Sequence, residues 1–225
     1  MTMHRPTGRS YAGLELLLAQ VSPLDFPVGT LAIYDAALLP PALAGGGFSH
    51  GTYLAWTAPH ADMIAGVADE GRRSVIVIDA AAIVRQAAAL GWSPAAALYG
   101  SVLHEAAHLA TFPAPQTLPR VADQLVVQAQ AEVGAITAGG GVQVTYQPAN
   151  VVDIYHGPGF GRALAHLLAR AERLGIAHEG AWLGHPPLHL IREFVEDSFE
   201  TFWAGSIRDL LAGPMPPVFP LLFPN

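Results

Sequence analysis

Residues 94–111, PAAALYGSVLHEAAHLAT, constrain this chain more than any other stretch. Ser93 and Pro94 make a good helix start, a hydroxyl cap followed by the imino acid that the first turn tolerates. Pro113 and Pro115 end the helix, because the residue before a proline is pushed out of the helical region. Nearly everything between is apolar or small, so the spacing predicts a helix buried on nearly all sides. Yet it carries His104, Glu105 and His108. Unpartnered polar groups are costly in a buried position. A fold that buries this helix has to give the three groups a shared ligand or satisfy each of them in place.

Helix geometry favours the shared ligand. Residues four apart lie one turn apart on the same face, so His104 and His108 can offer two imidazole nitrogens to one metal ion. Glu105 is rotated by about 100° from His104; it can reach a water on the metal without taking the same position. Two histidines and a glutamate in the order HExxH suit metal-assisted hydrolysis. The metal acidifies its water and the carboxylate takes the proton. The other meaning of the same spacing is a histidine pair satisfied within the core.

The bulk numbers are compatible with such a helix. A chain of 225 residues suits one domain with a full core, here residues 1–225 with a Pro-rich tail at about 213–225. Hydrophobic residues at 52% and charged residues at 13% exclude a disordered chain. No apolar run approaches the roughly 20 residues of a membrane helix. The N-terminal MTMHRPTGRSYAGLELLLAQ fails as a signal peptide, since Glu15 interrupts its apolar run. The expectation is a soluble, cytoplasmic protein without a membrane partner. A net charge of −7 argues against a nucleic-acid partner. With no Cys there are no disulfides and no thiolate ligands for zinc.

Along the chain, 12–20 reads as a short helix and 30–36 as a buried strand. GTYLAWT at 51–57 has strand character, and SVIVID at 74–79 is a β-branched run typical of a buried strand. Asp79 then leads a helix that ends at Gly91. After the motif helix come an expected helix at 119–136, an alternating strand at 142–147, a helix from the HGPGF turn at 156–160 to about Leu174, and another at about 188–204. The tail GPMPPVFPLLFPN is expected to pack in extended form. Arg162, Arg170 and Arg173 fall near one face of a helix and read as a solvated face.

A catalytic zinc takes three protein ligands and leaves one position open. LATFPA follows His108, so the glycine-and-histidine continuation of metzincins is absent. A glutamate from a later helix is one option: Glu132, or more weakly Glu172. His156, which opens HGPGF, is the other. The pair His104-Glu105-Ala106-Ala107-His108 and His156-Gly157-Pro158-Gly159-Phe160 resembles the HExxH and HGxxF signatures of SprT-like metalloproteases. The resemblance covers two short motifs. It implies that His104, His108 and His156 bind zinc and that Glu105 is the general base. It implies the catalytic module alone, because the chain has neither the cysteines of a zinc ribbon nor a basic DNA-binding tail.

These readings converge on an α+β, zincin-like single domain with a small mixed sheet and a buried active-site helix. The expected activity is zinc-dependent hydrolysis of peptide bonds in a peptide or protein substrate. GTYLAWT would then serve as an edge strand for substrate, or as an ordinary strand. Tyr155 would donate to the oxyanion, or simply pack. The alternatives are a non-enzymatic structural or interaction protein on the same fold, and a hydrolase of another amide.

Overall fold

In a computed structural model of the chain, the described residues are 11–35, 37, 55–58, 74–111, 157–181 and 204–223. The chain divides into two compact units, Met1–Thr111 with Tyr155–Asn225, and Phe112–Ile154. Every described residue belongs to the first. Its elements are α1 (Ala12–Val21), β1 (Leu31–Asp35), β2 (Ala55–Ala58), β3 (Ser74–Ile78), α2 (Ala80–Leu90), α3 (Pro94–Thr111), α4 (Pro158–Arg173), α5 (Ile207–Ala212) and α6 (Val218–Leu222). The expected elements at 119–136 and 142–147, and 188–204 but for Ala204, lie outside the described residues.

The three strands form a small mixed sheet in the order β1-β3-β2. β1 runs parallel to β3, with Ile33 opposite Ile76, and β2 runs antiparallel to it, with Trp56 opposite Val77. Ile76, Val77 and Ile78 are all buried, as are Leu31, Ala32, Ile33 and Tyr34. Continuous burial, rather than alternation, belongs to strands covered on both faces. The outer edge of β1 is closed by α1. The Tyr11 amide donates to the Ile33 carbonyl at 2.9 Å, and the Ile33 amide donates to Glu15 Oε1 at 3.0 Å. Glu15, the charge that interrupts the apolar N-terminal run, thus satisfies a strand edge.

The helix signals read from the sequence are realised. The Ala82 amide donates to Asp79 Oδ1 at 2.8 Å at the start of α2, and Gly91 ends it at φ 71°, a left-handed conformation that glycine adopts without strain. α3 is the central helix and packs against α1, α2, α4, α5, β2 and β3.

α4 differs from its expected character. Arg162 and Arg170 are not on a solvated face: they are 3% and 1% exposed, and His166, one turn from each, is fully buried. Only Arg173 of the three arginines is exposed. Arg170 donates to the Ser22 hydroxyl and to the Gly205 carbonyl, both at 2.9 Å. Ser22 donates to Asp25 Oδ2 at 2.6 Å, and the same oxygen accepts the Ile207 amide at 2.7 Å. One polar chain therefore joins the end of α1, α4 and the start of α5, and it supplies the partners that bring an arginine inside.

The C-terminal stretch from Ser206, which includes the tail expected to be extended, packs on the body and is not extended throughout. It makes two short helices. Ser206 caps α5 by accepting the Asp209 amide at 3.0 Å, a Ser-x-x-Asp pattern legible in SIRD. α6 buries Phe219 completely, and Phe219 and Phe223 pack on Ala165 of α4. A Cβ at Gly161 would strike the Phe223 ring, so the glycine makes room for that contact.

Candidate metal centre

The site lies on the C-terminal half of α3. Ala96, Ala97, Gly100, Val102, Leu103, Ala106, Ala107, Leu109 and Ala110 are buried around it, which is the environment its small and aliphatic residues dictate. His104 and His108 are half-buried, with ring centroids 5.0 Å apart at 71°. Glu105 between them is 6% exposed. One ligand atom from each of the three lies within 4.8 Å of the others. Two imidazoles on one zinc at about 2.1 Å each sit within about 4 Å of one another, so the cluster has the scale of a shared ion. Nitrogen and carboxylate donors without thiolates suit zinc, and also other divalent ions.

The two histidines are held from outside the helix. His104 Nδ1 lies 3.0 Å from the Ala181 carbonyl oxygen. Phe160, in the first turn of α4, packs against both rings, with centroids 4.9 Å from His104 and 4.5 Å from His108. Beyond His108 the helix ends within a turn. Thr111 Oγ1 donates to the His108 carbonyl at 2.9 Å, and Arg208 of α5 reaches the Leu109 carbonyl at 3.4 Å. These bonds satisfy carbonyls that a helix end otherwise leaves orphaned.

Burial raises the Glu105 carboxyl to about 8 in the metal-free protein. A group in that state is an acid at neutral pH. A cation beside it favours the carboxylate and reverses the shift, so the protonation of this group depends on whether an ion is bound.

Of the residues expected at the site, His104, Glu105 and His108 come together. Glu172 does not join them. It lies 12 residues beyond Phe160 on α4, about 18 Å along the axis, and its Oε1 pairs with His178 Nε2 at 3.3 Å. His156, Glu132 and Tyr155 lie outside the described residues. Sequence reasoning identified Phe160 as part of a signature but not as the ring against both histidines. It missed Ala181 entirely, because a backbone carbonyl leaves no trace in residue type. No described helix is long and apolar enough to cross a membrane.

Compared with known proteins, the chain matches no family model, no curated protein and no solved structure.

Proposed function

We propose that the protein is a zinc-dependent metallopeptidase of the SprT-like type, with His104, His108 and His156 as ligands and Glu105 as general base. The observation that carries the reading is the cluster itself: three donor groups within 4.8 Å on a buried helix. His156 is favoured as third ligand by the chain. It is one peptide bond upstream of Gly157, which caps α4, and Phe160 three residues later touches both histidines.

A zinc ion held by these residues would supply a Lewis acid and would acidify the attacking water toward a pKa of about 7. The remaining work falls to the chain. His104 and His108 hold their nitrogens on one face, and Phe160 excludes water from their flank. Glu105 accepts the proton of the attacking water and returns it to the leaving amine, the role of a positioned carboxylate. Among the described residues β2 is the outer strand on the side of the sheet opposite β1, and it packs on α3. A peptide or protein substrate laid along β2 gains main-chain hydrogen bonds beside the site.

The test is Glu105→Gln in the zinc-loaded protein, assayed on a peptide library. Loss of cleavage with zinc retained supports the peptidase. A wild-type protein that binds zinc and cleaves nothing favours the non-enzymatic alternative, a scaffold or interaction protein.

A further inference from the structure

The chain leaving α4 returns along α3 and meets one stripe of it. Three residues of α3 spaced by four, Ala96, Gly100 and His104, take three successive contacts from residues 176–181. The Glu179 amide donates to the Ala96 carbonyl at 2.9 Å. The Glu179 carbonyl lies where a Cβ of residue 100 would be, so only glycine lets it approach. The Ala181 carbonyl then meets His104 Nδ1 at 3.0 Å. Gly180 sits between them at φ +76°, and a Cβ there would come within 2.8 Å of the Trp92 ring. Both glycines therefore admit a backbone geometry that other residues obstruct.

We infer that residues 176–181 form a positioning strap for His104, and that Gly100 and Gly180 are the residues that seat it. A carbonyl oxygen can only accept, so His104 Nδ1 carries the hydrogen. The neutral ring then has its lone pair on Nε2, the nitrogen that is to bind metal. Fixing tautomer and ring orientation through the second nitrogen is how a ligand histidine is prepared. The mid-helix glycine, unfavourable there relative to alanine, has its reason in this approach. The inference deepens the proposed zinc site and rests on it only for its effect on affinity; the tautomer belongs to the metal-free chain.

The experiment is nitrogen-15 NMR of the imidazoles in the full-length, metal-free protein, with zinc affinity measured on the same samples. Wild type, Gly100→Ala and Gly180→Ala are compared, with Ile83→Ala as a variant that lowers stability from a buried position on α2, outside residues 176–181. Wild type and Ile83→Ala are expected to hold His104 as the Nδ1–H tautomer. The two glycine variants are expected to populate the Nε2–H form and to bind zinc about 10- to 100-fold more weakly. An Nε2–H tautomer in the wild type overturns the inference, whether or not the variants fold. So does an unchanged tautomer with unchanged zinc affinity in both glycine variants. If the tautomers behave as expected but the wild type takes up no zinc, the metal reading fails and the strap stands.

Discussion

The ring of Phe160 lies tilted by 31° over that of His108, with 4.5 Å between centroids. This contact joins the first turn of α4 to the last turns of α3, and the same phenyl meets His104 edge-on. A single buried aromatic side chain, 2% exposed, thus sets the spacing of both candidate ligands from one side.

Phe160→Ala is expected to destabilise the protein by about 3–5 kcal/mol, the range for emptying a buried aromatic position. It is also expected to weaken zinc binding, since both rings lose a wall. Phe160→Leu keeps much of the volume and should cost less on both counts. Denaturant titration and zinc competition on the same samples separate the two effects.

Glu105 makes the metal-free protein sensitive to base. Its folded pKa is raised from 4.5 to about 8 by burial. Between those values the folded chain keeps a proton that the unfolded chain has lost, so stability falls as pH rises. The expected slope from this group is about −1.4 kcal/mol per pH unit at most. Denaturation midpoints measured from pH 6.5 to 8 should fall in the metal-free wild type and stay level in Glu105→Gln. Zinc should remove the slope from the wild type.

His166 acts in the opposite sense. Burial, then the charges of Arg170 and Arg162, push its imidazole down from 6.5 to about 3. Between those values the unfolded chain binds a proton that the folded chain refuses, so stability is lost as pH falls. Acid denaturation followed by circular dichroism should show a shallower acid limb in His166→Leu. Between pH 4.5 and 6.5 the slopes of Glu105 and His166 cancel, so these two groups together leave a plateau there.

Asp25 tests the buried polar chain. Its carboxylate accepts the Ile207 amide and the Ser22 hydroxyl, and Ser22 in turn accepts from Arg170. Asp25→Ala removes charged hydrogen bonds and takes a negative charge away from the buried Arg170. A loss on the order of 3 kcal/mol is expected. Asp25→Asn should fall between Asp25→Ala and the wild type. Equal stability of Asp25→Ala and wild type in denaturant would show that the chain of contacts is dispensable.

Much of the scaffold was legible because local chemistry determined it. SVIVI could hardly be other than a buried strand, and Asp79 with Gly91 bracketed a helix at both ends. The three donors of the site were legible for the same reason: a helix repeats every 3.6 residues, so spacing alone puts His104 and His108 on one face. The arginines of α4 were misread because their partners are remote. Asp25 and Ser22 lie more than a hundred residues from Arg170, and a row of charges looks alike whether it meets water or a buried network. The tail was misread because its prolines hid a five-residue helical turn anchored by Phe219. Gly100 carried a signal that went unused, a glycine inside an otherwise strong helix, which often marks a close backbone approach.

The most direct measurement is the zinc content of purified protein by elemental analysis, for wild type, His104→Ala and His156→Ala in parallel. The account predicts about one zinc per wild-type chain, as a single three-histidine site requires, and its loss in both variants. Zinc retained by His156→Ala would contradict the assignment of the third ligand and turn attention to Glu132. A wild-type chain that takes up no metal when zinc is supplied would contradict the account at its centre.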